Sequence, residues 1–292
     1  MTEWQAYDGL QTLLAAPIED FTLPAHYTRK RIRAMGRVSL LSTRATELAL
    51  EQAGLIDDAV LTNGQTGIAY GSSTGSTGPV SEFASMLTEK HTHNITGTTY
   101  VQMMPHTTAV NTGLFFGLRG RVIPTSSACT SGSQAIGYAW EAIRHGYQTV
   151  MVAGGAEELC PSEAAVFDTL FATSQRNDAP KTTPSPFDVQ RDGLVIGEGA
   201  GTLVLEALDH ARARGATIYG EWALPPTAMR RTSPSPSVKP CRCVWSSRWR
   251  WRVLARRTLA TFLPTARQPI AGISPRVRRP PLFSATACPF HP

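Results

Sequence analysis

The distribution of acidic residues divides this chain at Glu221. All 22 aspartates and glutamates lie at or before this residue, whereas the last 71 residues hold 13 of the 28 lysines and arginines and 12 of the 21 prolines. Prolines at this density interrupt any continuous helix, and a segment with a large net charge cannot bury a core. We therefore expect a folded domain over residues 1–221 and a basic, Pro- and Arg-rich tail over residues 222–292 that is disordered or read out of frame.

The net charge must also be read separately for the two parts. It is −7 over residues 1–221 and +13 over the tail. Three tail tryptophans alternate with arginines, a composition that suits nucleic acid or an anionic membrane. Out-of-frame translation explains the same composition more simply, so we expect neither partner. No apolar run approaches the roughly 18 residues of a membrane span, and no secretory signal is visible, which predicts a soluble, cytoplasmic chain.

The pattern of residues 1–221 predicts an α/β fold. Apolar runs that end in small residues predict buried strands followed by tight turns, and amphipathic stretches predict helices between them. Such alternation is typical of a largely parallel sheet covered by helices. The predicted strands begin near residues 66, 121, 149 and 194, with the start of one more before residue 221, and the predicted helices cover residues 2–16, 29–54 and 129–145.

Cys129 is the candidate nucleophile. It lies in SSACTSGSQAIGYAW, where an apolar strand stops and a helix is predicted to begin. Free N–H groups and the positive dipole end at a helix N-terminus favour the anionic, nucleophilic form of a sulfur. The small neighbours leave room for a substrate carbonyl and let backbone N–H groups face a developing oxyanion. A lone cysteine is also often an inert buried residue, so spacing alone leaves both interpretations open.

Several ordered blocks of the sequence resemble the N-terminal half of a β-ketoacyl-acyl carrier protein synthase of the elongating type. The blocks are MMPHTTAVNTGLFFGLRG, TSSACTSGSQAIGYA, VMVAGGAEE, FDTLFATSQRND and PFDVQRDGLVIGEGAGTLVLE. The resemblance covers roughly residues 2–221. It implies a thiolase-like αβαβα layered fold, of which this chain supplies the N-terminal half only, and a homodimer. A relative such as a thiolase or a polyketide ketosynthase shares the cysteine and the fold, but the blocks around Phe167 and Arg191 favour the elongating synthases.

The resemblance also implies roles for individual residues. Cys129 would take the acyl chain from acyl carrier protein, with its own N–H as one oxyanion donor. Phe167 would line the acyl pocket, and Ser73 and Thr74 would lie at its far end near the dimer interface; a plain core aromatic and ordinary turn residues would look the same. The implied reaction is acyl transfer followed by decarboxylative Claisen condensation with malonyl-acyl carrier protein.

A basic cluster lies ahead of the second predicted helix. Lys30, Arg31 and Arg33 could simply form a solvated helix face. Because the similar family docks its acidic carrier protein, in acyl and malonyl forms, on a comparable basic stretch, we expect these residues to steer that partner electrostatically. We expect no cofactor and no metal: His91 and His93 are two residues apart, but no nearby cysteine, histidine or carboxylate is expected to complete a ligand set.

The catalytic histidines of the similar family are absent from this sequence. That family carries them in an HGT block and a GHxxG block, and none of the seven histidines here lies in either motif. A frameshift near codon 222 would remove every downstream motif together and introduce many Arg and Pro codons. The alternative hypothesis is therefore a catalytically silent, truncated protein that only binds acyl carrier protein or pairs with an intact synthase.

Overall fold

The computed structural model describes residues 1–221, and the predicted tail lies outside the described residues. The described strands are β1 Ala15–Ala16, β2 Thr66–Gly71, β3 Val122–Thr125, β4 Val150–Glu157, β5 Ile196–Gly197 and β6 Gly199–Glu206. The helices are α1 Arg29–Ile32, α2 Arg37–Ala53, α3 Thr77–Glu89, α4 Gly97–Met103, α5 Thr107–Phe115, α6 Ser131–Arg144, α7 Pro161–Thr169 and α8 Leu208–Ala213. Short 3-10 turns occur at Thr2–Ala6, Ala59–Leu61 and Pro180–Thr182. The α/β prediction is confirmed.

Four strands form the central sheet, in the order β3-β2-β4-β6. β2 pairs in parallel with both β3 and β4, whereas β6 pairs antiparallel with β4. The register places Gly71 beside both Thr125 and Gly155, so β2, β3 and β4 reach their carboxyl ends side by side. β1 and β5 form a separate two-stranded parallel pair.

Helices cover both faces of this sheet, so the central strands are apolar on both sides. Ile68 and Tyr70 of β2 and Val150 and Val152 of β4 pack into a core with α2 and α5 on one face. The residues between them point the other way, where Ala69, Met151 and Ala153 pack against Ala135, Ala139 and Ala142 of α6. Side chains alternate between the faces of a strand, so a fully buried strand needs apolar residues at every position.

The predicted helix 29–54 is divided into α1 and α2. Gly36 is the N-cap of α2 and has an extended backbone that interrupts the helix. A Cβ at Gly36 would lie 2.2 Å from the Ser76 hydroxyl, so the tight approach of another loop requires glycine at the break. The predicted helix end is confirmed, because Gly54 caps α2 with a left-handed backbone at φ 68°.

The predicted N-terminal helix 2–16 is wrong beyond its first turn. The 3-10 turn ends at Ala6, and Gly9 follows with φ +85°, a conformation that no helix contains. The segment then runs extended because it is tied to distant residues. The Gln11 N–H donates to Asp168 at 2.6 Å, and the Leu13 N–H donates to the Asn177 side chain at 2.8 Å. These tertiary contacts override the helical spacing of the leucines.

The last predicted strand does not form within the described residues. Residues 216–221 follow α8 without regular structure. Gly215 turns the chain at the end of α8 with φ +70°. Of the helices in residues 1–221, none combines the length and apolar character that crossing a membrane demands.

Candidate active site

The carboxyl edge of the sheet brings three loops together. β3 leads into the segment that carries Cys129, β2 leads into the loop with Ser73 and Thr74, and β4 leads through Glu157 into α7. Because the three strands are parallel and adjacent, these loops emerge at one edge. Ligands of α/β proteins bind outside the carboxyl ends of the strands, so this edge is the candidate site.

Cys129 lies in a sharp turn between β3 and α6. Ala128, which precedes it, has φ +52°, a left-handed backbone that costs a residue with a Cβ about 1 kcal/mol or more. The turn is closed by the N–H groups of Thr130 and Ser131, which donate to the carbonyls of Ser127 and Ala128. α6 begins at Ser131 rather than at Cys129, so the predicted helix start is two residues early. The turn leaves Cys129 exposed to solvent.

The Ser131 side chain fixes this turn. Its hydroxyl donates to the Ala128 carbonyl at 2.7 Å and accepts the Ser127 N–H at 2.9 Å. The Thr125 hydroxyl at the end of β3 donates to the Ser131 carbonyl at 2.9 Å. These bonds hold the strained Ala128 backbone in place and so determine where the Cys129 sulfur projects.

Glycines let the start of α6 lie directly on the sheet. A Cβ built on Gly155 would meet the Gly132 Cα at 3.0 Å, and a Cβ built on Gly71 would meet the Ser131 Cβ at 2.6 Å. The backbone of the helix therefore touches the backbone of β2 and β4 without intervening side chains. This backbone packing fixes the position of the start of α6, which directly follows the Cys129 turn.

The Cys129 N–H lies in the same turn as the exposed sulfur. A backbone N–H beside an exposed thiol, at the N-terminal end of a 14-residue helix, can hold a carbonyl oxygen while sulfur attacks its carbon. The geometry is suited to acyl transfer.

Ser73 and Thr74 are bound to a carboxylate that sequence reasoning overlooked. The Glu157 side chain accepts the Ser73 N–H at 2.6 Å, the Thr74 hydroxyl at 2.9 Å and the Ser72 hydroxyl at 3.0 Å, and the Ser73 hydroxyl also bonds to it. Glu157 therefore orders the whole loop after β2. The signal in the sequence was a pair of glutamates that directly follow the apolar run of β4.

Phe167 lies on α7 and is half-buried. A cavity of about 1000 Å³ lies between α7, the start of α3 and the N-terminal segment, and buried Cys160 lines it. Phe167 and Cys129 do not line this cavity. The described residues thus place Phe167 on an element that follows the same sheet edge, but they do not bring it into a common cavity with the cysteine.

The predicted docking residues differ in their surroundings. Arg31 donates to the Phe115 carbonyl at 2.8 Å and lies 3.8 Å above the Phe115 ring, so it packs α1 onto α5. Lys30 and Arg33 are exposed, and within residues 1–221 the charged side chain of neither forms an ion pair or a hydrogen bond. Their charges are therefore free to act on a partner.

His91 and His93 make contacts that their spacing in the sequence does not reveal. The rings of His91 and His93 stack at 5.0 Å, and His91 Nε2 lies 2.6 Å from a Glu89 carboxylate oxygen. The part of the chain that the structure describes nevertheless holds no group of three metal-ligating side chains.

The family model described as "Beta-ketoacyl synthase, N-terminal domain" matches residues 4–211. The chain belongs to the β-ketoacyl synthase family. The match includes every element from β1 to β6 and the Cys129 turn. The predicted resemblance is confirmed.

Individual relatives agree with this assignment. The chain is 36% identical over 231 residues to 3-oxoacyl-[acyl-carrier-protein] synthase 2 of Vibrio harveyi, covering 78% of this chain and 55% of that protein. A crystal structure of a β-ketoacyl synthase from Burkholderia phymatum STM815 is 58% identical, with a TM-score of 0.73 over 75% of this chain and 54% of that one. This synthase-family chain spans about half the length of the curated relatives it matches.

A third likeness comes from a polyketide system. It is a type II polyketide ketosynthase solved in complex with its acyl-carrier protein, 28% identical, with a TM-score of 0.56 over 72% of this chain and 51% of that chain. All three similar proteins match the N-terminal part of this chain. The two ketosynthase structures confirm the predicted thiolase-like α/β fold for that part.

Exposure predicts that the two described cysteines differ in reactivity. Cys129 is exposed, whereas Cys160 is 6% exposed and its sulfur lies 2.9 Å from the Ser162 hydroxyl. We expect iodoacetamide at neutral pH to alkylate Cys129 at least about tenfold faster, because the reagent must reach the sulfur. Peptide mass mapping over time measures each site separately. Equal rates in the native chain would contradict the exposed Cys129 turn, and equal rates after denaturation are the control.

Proposed function

We propose that this chain derives from a β-ketoacyl-acyl carrier protein synthase of fatty acid biosynthesis and that it performs acyl transfer to Cys129. The Cys129 sulfur attacks the carbonyl carbon of an acyl thioester, and the Cys129 N–H holds the oxygen as it becomes negative. The carbon–sulfur bond to the carrier then breaks and the carrier thiol leaves. The observation that carries this proposal is the exposed cysteine in a strained turn at the carboxyl edge of the sheet.

The test is a single-turnover transfer. The chain is mixed with an acyl carrier protein that bears a saturated acyl thioester, and intact mass reports the acyl group on the chain. A gain equal to the acyl group, mapped to the Cys129 peptide, is the expected result. Absence of any adduct on a folded chain would overturn the proposal.

We propose that the chain alone does not complete the condensation. Decarboxylation of malonyl-acyl carrier protein needs groups that hold the malonyl carbonyl and stabilise the enolate, and the HGT and GHxxG blocks that would provide them are absent from the sequence. The same observation favours the second candidate, a silent protein that binds acyl carrier protein or pairs with an intact synthase. The acyl-transfer candidate predicts acyl loading without carbon dioxide release. The silent protein predicts neither acyl loading nor carbon dioxide release.

For the remaining site residues we propose that Phe167 borders the acyl chain and that Ser73 and Thr74 lie at its far end. Their place on α7 and on the loop after β2, at the edge that carries Cys129, supports this assignment. We also propose a homodimer. β3 is an edge strand with exposed Val122, and among the described strands it pairs only with β2, so its outer edge has free backbone groups for a second copy.

The exposed cations Lys30, in α1, and Arg33, directly after it, support acyl carrier protein, in its acyl and malonyl forms, as the partner. We expect Lys30→Glu together with Arg33→Glu to slow loading from the carrier protein by about tenfold or more at low salt, because reversed charges repel an acidic partner. Loading from a small uncharged acyl thioester should be unchanged.

The matched control is Arg212→Glu, which reverses an exposed arginine on α8. Stopped single-turnover assays at several salt concentrations measure the effect. A comparable loss with the small thioester, or with Arg212→Glu, would refute docking at α1.

We propose that residues 1–221 form the synthase domain, which agrees with the family match over residues 4–211. The change in composition after Glu221 remains best explained by a frameshift. Translation of the encoding nucleotide sequence in the other two forward frames after codon 221 tests this, and failure to find an HGT and a GHxxG block would reject it.

A further inference from the structure

Ser131 holds the peptide group that joins Ala128 to Cys129. The Ala128 carbonyl oxygen accepts the Ser131 N–H at 3.0 Å and the Ser131 hydroxyl at 2.7 Å. Both donors belong to the first residue of α6, so the oxygen points toward the start of that helix. A carbonyl oxygen has two lone pairs, and these two donors use both. The orientation of the peptide group is therefore fixed at its oxygen.

The same peptide group carries the Cys129 N–H. The peptide bond between Ala128 and Cys129 is trans. Because a trans peptide group is planar, its C=O and N–H point in opposite directions. Holding the Ala128 oxygen toward α6 therefore turns the Cys129 N–H away from the helix start. This N–H would meet the negative charge that develops on a carbonyl oxygen when the Cys129 sulfur attacks.

The backbone of Ala128 opposes this orientation. Its φ of +52° lies in the left-handed region, which a residue with a Cβ rarely adopts. Such a conformation persists only where the surrounding structure enforces it. Rotation of the peptide group would relieve the strain and point the Cys129 N–H elsewhere. The two bonds from Ser131 to the Ala128 oxygen prevent that rotation.

The Ser131 hydroxyl is itself held in place. Ser131 is 4% exposed, and its hydroxyl oxygen accepts the Ser127 N–H at 2.9 Å while its proton goes to Ala128. The Ser131 carbonyl accepts the Thr125 hydroxyl at 2.9 Å, which ties this residue to the end of β3. A buried hydroxyl with both a donor and an acceptor has one orientation, so it can fix the group to which it donates.

We propose that Ser131 is a positioning residue that aims the Cys129 N–H at the carbonyl oxygen of the substrate, by holding the Ala128 oxygen at the opposite side of their shared peptide group. The inference rests on the proposed acyl transfer to Cys129. Its effect depends on the electrophile. Attack on a carbonyl carbon places negative charge on oxygen and needs the N–H, whereas displacement of iodide from iodoacetamide needs only an accessible sulfur.

The experiment compares two reagents on Cys129 in the full chain and in Ser131→Ala. With p-nitrophenyl acetate the thiolate forms a carbon–sulfur bond to the acetyl carbon and p-nitrophenolate leaves; with iodoacetamide the same sulfur is alkylated and iodide leaves. Peptide mass mapping measures both products at Cys129. We expect Ser131→Ala to slow acetylation by about tenfold or more, although the Ser131 N–H still holds the Ala128 oxygen in part. The alkylation rate should stay within about twofold of the wild-type rate.

Ser133→Ala is the matched control, because it removes an exposed serine hydroxyl from the same helix. Both of its rates should equal those of the wild type. Thermal unfolding verifies that each variant is folded at the assay temperature. Equal slowing of acetylation and alkylation in Ser131→Ala would show that the serine places only the sulfur. Unchanged acetylation would show that it does not aim the N–H. Either result overturns the proposal.

Ala128→Gly supplies a second background. Glycine adopts a left-handed backbone without steric cost, so the peptide group depends less on Ser131. We expect Ser131→Ala to slow acetylation at least about threefold less in this background than in the wild type. An equal loss in both would contradict the role of strain at Ala128. Should Ser131→Ala unfold on its own, the two reagents are compared in the glycine background: a loss confined to acetylation supports the proposal, and an equal loss or none overturns it.

Transfer from an acyl carrier protein thioester is measured separately, so that the two proposals can fail independently. A wild-type chain that reacts with p-nitrophenyl acetate but takes no acyl group from the carrier protein would overturn the proposed function, while the two reagents still decide the role of Ser131. Equal loading of the wild type and Ser131→Ala by the carrier protein would overturn the role of Ser131 and leave acyl transfer to Cys129 intact.

Discussion

Replacing Cys129 with alanine should abolish covalent acyl loading, with a loss of more than about a thousandfold. Alanine has no sulfur to form the thioester, while its small side chain leaves the turn between β3 and α6 undisturbed. The Cys129 side chain is exposed, so its removal creates no internal cavity. The variant should therefore unfold at the same temperature as the wild type.

Cys160→Ala is the matched control, since it removes the other described cysteine. Cys160 is buried and caps α7, where its sulfur accepts the Ser162 N–H at 3.4 Å. We expect this variant to lose some stability, by about 1 kcal/mol or more, but to load the acyl group normally. Intact mass after exposure to acyl carrier protein thioester gives loading, and thermal unfolding gives stability. Persistent loading of Cys129→Ala on any peptide would show that another group is the acceptor.

Replacing Gly71 with alanine should displace the Cys129 turn and destabilise the fold by about 1–3 kcal/mol. The added Cβ would lie 2.6 Å from both the Ser131 Cβ and the Thr125 hydroxyl, and 2.7 Å from the Ser131 carbonyl carbon. These atoms are the ones that anchor the turn, so relief of the overlap must move α6 away from β2. Each kcal/mol corresponds to about 2–4 °C in Tm for a domain of this size.

Gly78→Ala provides the control for this substitution. A Cβ at Gly78, in the first turn of α3, meets no atom within 4 Å, and alanine favours a helix more than glycine does. Its Tm should stay equal or rise slightly. Alkylation of Cys129 by iodoacetamide then reports the turn: we expect its rate to change in Gly71→Ala and not in Gly78→Ala. A Gly71→Ala chain with wild-type Tm and alkylation rate would refute the close packing of α6 on the sheet.

The sequence predicts the buried strands well because their physical cause is local. β2 and β4 are covered on both faces, so each position must be apolar or small, and that requirement is legible in the runs at residues 66–71 and 150–157. The glycine that ends α2 is equally legible, because a left-handed cap leaves few choices. These elements can be predicted without knowing which residues pack against them.

The errors arise where distant residues decide the local backbone. Leucine spacing near the N-terminus predicts a helix, but Asp168 and Asn177, more than 150 positions away, hold that segment extended. The division between α1 and α2 depends on Ser76, which occupies the space that a side chain at Gly36 would need. No pattern within a short window contains these contacts.

Some features of the candidate site could likewise be predicted from the sequence, and others could not. Cys129 could be found from its strand–turn–helix setting, whereas the role of Glu157 depends on hydroxyl groups from another loop. The basic run at residues 29–33 likewise does not reveal that Arg31 packs on the Phe115 ring. Sequence reasoning identifies reactive residue types, while partners across the fold determine which of them are free.

The direct contact of Gly132 with Gly155 has a consequence for how such a site can change over generations. Since backbone meets backbone there, the start of α6 is placed on the sheet by the two glycines, and the Ser131 and Thr125 hydroxyls then fix the turn that carries the sulfur. Side chains elsewhere around the site can then be exchanged without shifting Cys129, whereas mutations at the two glycines would displace it.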